Sequence, residues 1–96
     1  MDEVEAQRLK LVAERDADAD EDGWRERFSP GTHGCHEALH TASVALDLVD
    51  RHLLDHGAII QRPEWFNLAE RASQALFDLY QAIGSVHLDR SSEDDA

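Results

Sequence analysis

Five residues near the middle of the chain have the spacing of a zinc-binding motif. The stretch from His36 to His40 reads His-Glu-Ala-Leu-His, which fits the pattern H-E-x-x-H. On a helix, two histidines four residues apart project from the same side and can bind Zn²⁺, and Glu37 between them would act as general base toward a bound water. The motif therefore raises the hypothesis of a small zinc hydrolase.

Three features of the sequence weigh against catalysis. The extended motif of one class of zinc proteases needs a glycine and a third histidine where this chain has Ser43 and Leu46. A protease also needs a substrate cleft, for which a chain of 96 residues with acidic ends leaves little room. The chain contains six histidines, so pairs at this spacing also arise by chance. We expect no catalytic activity, and the hydrolase stays an alternative.

A metal site without catalysis is a separate alternative. If the two long helices described below run antiparallel, the end of the second returns to the start of the first, and His87 comes close to His36 and His40. Three histidines at one end of a helix pair are a suitable ligand set for zinc, with His33 and Cys35 nearby. We expect no cofactor, with zinc as the alternative. Without a metal, the same residues form a partly exposed histidine cluster.

An acidic stretch resembles the beginning of a calcium-binding loop. Residues 18–23 read Asp-Ala-Asp-Glu-Asp-Gly, in which carboxylates alternate before a glycine. The twelfth loop position, normally a bidentate glutamate, is Ser29, and Pro30 stands where the exiting helix should continue. Because the match covers only half a loop, we interpret the stretch as an acidic, disordered linker, which Trp24 and Phe28 could pin to the core.

The net charge of −12 excludes an ordinary nucleic-acid-binding protein, which would present a basic face. The charge is −5 over residues 1–29, −4 over residues 30–88 and −3 over residues 89–96. An acidic inhibitor that mimics nucleic acid is a further alternative, but it needs carboxylates ordered on one face. Most of the excess here lies in the two ends, which is typical of solvated flanks.

The sequence predicts a cytoplasmic protein. Cys35 is the single cysteine, so no disulfide forms within the chain. No apolar run approaches the ~18 residues that a membrane span requires. The chain begins Met-Asp-Glu-Val-Glu, whereas a signal peptide begins with positive charge.

The stretch from Pro63 to Leu88 has two apolar stripes at helical spacing. We expect the first stripe to pack on the core of the chain; its members are Trp65, Leu68, Ala72, Leu76, Leu79, Ile83 and Val86. The second stripe lies beside it and is partly aromatic; its members are Phe66, Ala69, Ser73, Phe77 and Tyr80. One stripe is enough for an intramolecular core, so the second indicates another packing partner.

A first long helix is predicted from Cys35 to His56, with Gly57 as its left-handed C-terminal cap. Its core stripe consists of Leu39, Ala42, Leu46, Val49 and Leu53, and a second stripe of Val44, Ala45 and Leu48. A short connection to Pro63 makes the two helices antiparallel. Residues 2–15 form a shorter, marginal N-terminal helix.

We therefore predict an all-α protein with an acidic N-terminal segment (1–29), a helical hairpin domain (30–88) and a disordered acidic tail (89–96). A hairpin of two helices buries little apolar area, so we expect it to dimerise into a four-helix bundle. The expected partner-binding residues are Val44, Leu48, Phe66, Ala69, Ser73, Phe77 and Tyr80. The function predicted is a small acidic interaction or structural protein that binds itself or another, unidentified protein, and neither nucleic acid nor membrane. Alternatively, residues 2–28 fold back over this surface and leave a monomer.

Overall fold

The computed structural model describes residues 2–94, and within them the chain is helical with no strand, which confirms the predicted all-α class. Five helices follow one another: α1 (Glu3–Ala17), α2 (Trp24–Arg27), α3 (His33–Leu48), α4 (Gly57–Ile60) and α5 (Pro63–Asp94). A 3₁₀ turn, Ala19–Glu21, joins α1 to α2, and a π-helical turn, Val49–Leu53, extends α3. Over the same residues, no helix is both long enough and apolar enough to cross a membrane.

Helix α3 begins two residues before the predicted start, because Thr32 caps it: the Thr32 Oγ1 accepts a hydrogen bond from the backbone N–H of Cys35 at 3.3 Å. At its other end the helix widens, and the N–H of Leu54 donates to the carbonyl of Val49 at 2.8 Å. This wide turn, and not a glycine, terminates the helix.

The predicted role of Gly57 as a left-handed cap is wrong. Gly57 begins α4, and the positive φ angles belong to Gly23 and Gly31 among the described residues. His56, expected in the last turn of the first helix, caps α4 instead: its Nδ1 accepts a hydrogen bond from the N–H of Ala58 at 3.1 Å. Because the His56 side chain caps a new helical turn at this point, Gly57 becomes the first residue of α4 and not the C-terminal cap of the preceding helix.

Helix α5 is 32 residues long and starts at Pro63, where the missing N–H costs no helical hydrogen bond. It continues six residues past the predicted end at Leu88, so residues 89–94 are helical and not the disordered tail that we expected. No glycine or proline follows Gly84, and extending a formed helix adds one hydrogen bond for each residue fixed. Residues 95–96 of the predicted tail lie outside the described residues.

Helices α3 and α5 pack side by side in opposite directions. Three residue pairs mark this packing: His36 with His87, Leu39 with Gly84, and Asp50 with Ser73. The residue numbers add to 123 in every pair, so each step forward along α3 is matched by a step back along α5. The start of α3 therefore lies beside the C-terminal part of α5, and α4 packs against the first turns of α5.

The core between these helices is small. Its buried apolar residues are Leu39, Ala42 and Ala69, and no large side chain is completely buried among the described residues. Leu39 and Ala42 belong to the predicted core stripe of the first helix, and its next members, Leu46 and Val49, are half-buried, so the prediction for that stripe is confirmed for these four residues.

On α5 the side that faces α3 takes residues from both predicted stripes: Leu76 and Ile83 of the expected core stripe are half-buried, and so are members of the second stripe. Ala69 is buried and Ser73 and Tyr80 are half-buried, although all three belong to the second stripe. Leu68 and Leu79 of the expected core stripe keep 60% and 49% of their surface exposed. Periodicity shows that both stripes are apolar but not which one faces α3, and the small side chains of Ala69 and Ser73 let the two helices approach closely.

Helix α1 stands away from the α3–α5 pair. It is capped by Asp2, whose carboxylate accepts from the N–H of Glu5 at 2.7 Å, and none of its residues is buried. The radius of gyration is 17.0 Å, compared with about 12.5 Å for a compact domain of this length. The predicted N-terminal helix is confirmed, but the alternative in which residues 2–28 cover the second stripe is not the observed arrangement.

Candidate functional site

The predicted histidine cluster is only partly assembled. His87 is 95% buried, and its Nδ1 accepts a hydrogen bond from the backbone N–H of Gly31 at 2.9 Å. Its ring centroid lies 5.7 Å from that of His36. His87 thereby ties the turn before α3 to the C-terminal part of α5, and this is a structural role that the sequence did not indicate.

This hydrogen bond restricts how His87 could bind a metal. Because Nδ1 accepts, the neutral ring carries its proton on Nε2, and neither nitrogen has a free lone pair while the bond to Gly31 lasts. Among the residues that the structure describes, no three His, Cys, Asp or Glu side chains converge on one point. Zinc binding by His36, His40 and His87 stays a prediction, and it would require His87 to release Gly31.

Glu37, the candidate general base, contacts a different histidine. Its Oε1 lies 3.2 Å from Nε2 of His33, and both side chains are exposed. His36 and His40 are exposed as well, on a neighbouring side of α3. The hydrolase hypothesis stays a prediction: Glu37 lines the groove described below, whereas neither His36 nor His40 belongs to that lining.

The acidic connection from Asp16 to Gly23, which contains the stretch that resembles a calcium loop, is folded, and Asp16, Asp18 and Glu21 have partners within the chain. Asp16 forms an ion pair with Arg25 at 2.9 Å and accepts a hydrogen bond from the indole N–H of Trp24 at 3.0 Å. The hydrogen bond from Arg25, and then that from Trp24, lowers the pKa of Asp16 below its ordinary value. Asp18 accepts from the N–H of Asp20 and caps the 3₁₀ turn. The segment is therefore an ordered connection, in contrast to the disordered linker that we expected.

The same connection links the C-terminal end of α1 to the start of α3 through the rings of Trp24 and Phe28. The Arg15 guanidinium lies over the rings of Trp24 and Phe28, at 5.5 and 5.7 Å from their centroids. Phe28 in turn reaches Gly34 so closely that a Cβ on that glycine would lie 2.5 Å from Phe28 Cδ1. Only a glycine at this position permits the approach.

The seven residues predicted to bind a partner do not form one surface. Ala69 is buried against α3, Ser73 donates a hydrogen bond to Asp50 Oδ1 at 2.5 Å, and Tyr80 is half-buried. The other four, Val44, Leu48, Phe66 and Phe77, are 39–58% exposed. The helical spacing places Leu48 on one side of the α3–α5 pair and Phe66 and Phe77 on the other.

We call these sides the groove flank and the histidine flank. The groove flank consists of Ala38, Thr41, Ala45 and Leu48 on α3 and of Leu68, Ala72, Ala75, Leu79, Ala82 and Val86 on α5. The histidine flank consists of His36, His40, Asp47 and Asp50 on α3 and of Phe66, Ser73, Phe77, Tyr80 and Leu88 on α5. The assignment follows from helical spacing relative to the buried residues of each helix.

A groove of about 500 Å³ follows the groove flank between the two helices. Small residues line its α3 side (Ala38, Thr41, Ala42 and Ala45), and larger ones line its α5 side (Leu76, Leu79 and Ile83). Phe28 and Gly34 line it as well, and Glu37 is the charged residue of its lining. The groove is thus almost entirely apolar.

On α5 the apolar strip continues beyond the groove. From Leu68 to Val86 it runs for about 27 Å without a charged residue. Leu68, Leu79 and Val86 are 60%, 49% and 49% exposed. The sequence grouped these residues in the expected core stripe, whereas the structure leaves them about half exposed.

The chain as a whole leaves much of its surface uncovered. Its accessible surface is 7470 Å², whereas a compact protein of 10.8 kDa exposes about 5,500 Å². The difference is about 1,900 Å², and α1, none of whose residues is buried, is one source of it. An ordinary protein–protein interface takes about 800 Å² from each partner. The excess surface of the chain as a whole is therefore larger than one such share.

Comparison of the chain with protein-family models, with curated proteins and with solved structures finds no match. The functional argument therefore depends on the geometry of the chain itself.

Proposed function

We propose that this chain is a non-catalytic protein–protein interaction protein that works as a homodimer. In the dimer, α3 and α5 of each copy act as an antiparallel hairpin, and the two hairpins pack groove flank against groove flank as a four-helix bundle. One observation carries the proposal: both helices present exposed uncharged residues on this flank, with Glu37 as a charged residue of the groove lining, and no other helix of the described residues 2–94 covers them. A second copy carries the same apolar flank and would cover it.

The charge distribution permits two acidic chains to associate. Of the net charge of −12, −8 belongs to residues 1–29 and 89–96, and the hairpin between them carries only −4. Glu70 lies away from the strip from Leu68 to Val86, and Arg71 and Asp78 lie at the outer edge of that strip. Added salt should therefore strengthen the dimer, because it screens the repulsion between the acidic ends.

As part of the same proposal we place the dimer in the cytoplasm. The single thiol, Cys35, is free and half-buried, which suits a reducing compartment.

The proposal is tested by placing a charge on each flank. Leu79→Asp puts a carboxylate in the middle of the proposed interface, where burying it without a partner is costly. We expect sedimentation equilibrium to show a dimer for the unaltered protein and at least ~100-fold weaker association for this variant, which corresponds to about 2.7 kcal/mol.

Phe77→Asp is the matched control, because Phe77 lies two residues away, is similarly exposed (45% against 49%) and belongs to the histidine flank. This variant should stay dimeric. An unaltered protein that is monomeric at tens of micromolar, or a dimer that both substitutions weaken equally, would contradict the proposal.

A further inference from the structure

We infer that α1 is an arm that packs against the partner subunit of the dimer, beside the groove flank. The inference rests on the proposed function and adds to it a second contact between the copies, made outside the hairpin. Four properties carry it: α1 has no core of its own, its C-terminal end lies at the groove, its charges suit an acidic partner, and the dimer has more surface than one flank contact covers.

Helix α1 has no core within its own chain. None of its 15 residues is buried. The molecule extends 36 Å along its second principal axis, whereas two packed helices measure about 20 Å across, so the N-terminal segment projects sideways from the α3–α5 pair. A helix of about 15 residues is marginally stable in water by itself, because tertiary packing supplies most helical stability. A persistent α1 therefore needs a surface to pack on.

The C-terminal end of α1 lies at the end of the groove. The Arg15 guanidinium is 5.7 Å from the ring centroid of Phe28, and Phe28 and Gly34 line the groove. Val4 and Leu11 project from the same side of α1 as Arg15 and are 77% and 54% exposed. The apolar side of α1 therefore continues the groove lining beyond Phe28, where a second copy seated on the groove flank would meet it.

The charges of α1 suit contact with another acidic chain. The apolar side spans about 100° of the helix and includes two bases; its members are Val4, Arg8, Leu11, Val12 and Arg15. The four acids of α1 lie outside this side of the helix, and one of them, Glu5, pairs with Arg8. Of the net charge of −5 on residues 1–29, α1 carries only −1. Repulsion from a second copy of charge −12 is therefore weakest at this helix, and its two bases favour the contact.

The exposed surface of the chain indicates how much a dimer has to cover. A dimer as compact as an ordinary protein of twice 10.8 kDa would expose about 9,200 Å², so each copy would cover about 2,900 Å² of its 7470 Å². An ordinary interface covers about 800 Å² of each partner. A flank contact of that size leaves most of the excess exposed, and packing of both arms would reduce it further.

Hydrogen exchange in the full chain tests the arm directly. The amide N–H groups of residues 6–12 lie within α1, away from the contact of Arg15 with Phe28. At a protein concentration at which the unaltered chain is dimeric, we expect these groups to exchange at least ~10-fold more slowly than in Leu79→Asp, because dissociation removes the surface that holds α1. Exchange at the same rate in both proteins would overturn the inference. If Leu79→Asp still dissociates the dimer, the proposed function would stand.

A matched pair of substitutions tests which side of α1 makes the contact. Leu11→Gln removes an apolar side chain from the contacting side, and Ala13→Gln places the same amide two residues away on the opposite side. We expect sedimentation equilibrium to show about tenfold weaker association for Leu11→Gln and a change of less than about twofold for Ala13→Gln.

Circular dichroism checks that both variants are as helical as the unaltered chain, and Val4→Gln takes the place of Leu11→Gln if that variant is not. Equal effects of the substitutions on the two sides would overturn the inference. A monomeric unaltered protein would remove both the inference and the proposed function.

Discussion

On the groove flank both helices present uncharged side chains, whereas on the histidine flank the aromatic residues of α5 face polar residues of α3. Two hydrogen bonds there lie within the chain: Ser73 donates to Asp50, and the N–H of Gly31 donates to His87. On the groove flank Thr41 donates to the carbonyl of Glu37 within α3, but among the described residues no side-chain hydrogen bond joins α3 to α5 there, and the leucines and valine stay about half exposed. On the proposed function, aromatic residues on a helix therefore do not by themselves mark a partner surface. The side chains on the neighbouring helix decide whether such a flank is completed by the chain or needs another molecule.

If the two flanks differ in this way, the histidine flank should contribute to the stability of the single chain and not to association of two chains. His87→Ala removes the acceptor of the Gly31 N–H and leaves a void beside His36. We expect the free energy of unfolding to fall by about 2 kcal/mol. The measurement is urea unfolding in the Leu79→Asp background, which the proposal makes monomeric and therefore independent of protein concentration.

His40→Ala is the control, because His40 is exposed, belongs to the same flank and makes no hydrogen bond among the described contacts. It should change the unfolding free energy by no more than about 0.5 kcal/mol. With Leu79 intact, His87→Ala should leave the dimer dissociation constant unchanged. A weaker dimer would show that the two flanks are not separate in function.

Two glycines give a smaller contrast between the flanks. Gly34 lines the groove, and a Cβ there would collide with the Arg27 carbonyl and with Phe28, so Gly34→Ala should destabilise the chain by about 1–3 kcal/mol. Gly84 packs against α3 beside the histidine flank, and its Cβ would meet Leu39 at 3.6 Å, an ordinary contact. Gly84→Ala should be neutral or stabilise α5 by up to about 1 kcal/mol. Thermal unfolding of both variants checks the contrast, and equal losses would contradict it.

The smallest effect on stability is expected outside both flanks, at the C-terminal end of α1, where Asp16 contacts Arg25 and Trp24. The folded pKa of Asp16 lies below its unfolded value of 3.8 because Arg25 and Trp24 bond its carboxylate. The stabilisation is therefore fully present above the unfolded pKa and is lost as the pH falls through the folded pKa. In a Trp65→Phe variant, the fluorescence of Trp24 should change only below about pH 4. Asp16→Asn should abolish this transition, and an unchanged transition would show that Asp16 does not hold the connection.

Much of the fold was predictable because helical periodicity and capping act locally. The all-α class, the N-terminal helix, the start of α5 at Pro63 and the core role of Leu39 and Ala42 all follow from the order of residues along the chain. The errors arose where a local signal competed with another. Gly57 was predicted to cap the first helix, but the His56 side chain caps α4, which Gly57 begins. The acidic sequence after Leu88 was predicted to be disordered, but α5 continues through it to Asp94.

The candidate site was predictable in its residues but not in its arrangement. Leu68, Leu79 and Val86 were recognised as one apolar stripe, and Ala69, Ser73 and Tyr80 as another, because spacing alone groups residues by side. Which stripe meets α3 depends on the rotation of α5 about its axis, and two adjacent apolar stripes leave that rotation undetermined. In the observed rotation of α5, Ala69 is buried against α3 and Ser73 donates a hydrogen bond to Asp50 of the π-helical turn.

By itself, the sequence determined that this chain forms helices with more apolar surface than one hairpin can bury, and that its acidic charge lies mainly at the ends. Both properties depend on residue type and spacing, which need no tertiary contact. Only the tertiary structure decided that His87 bonds Gly31, that the aromatic residues belong to a polar flank and that Leu68, Leu79 and Val86 remain uncovered. These facts depend on how α5 is turned against α3. That rotation is set by contacts between residues far apart in the chain.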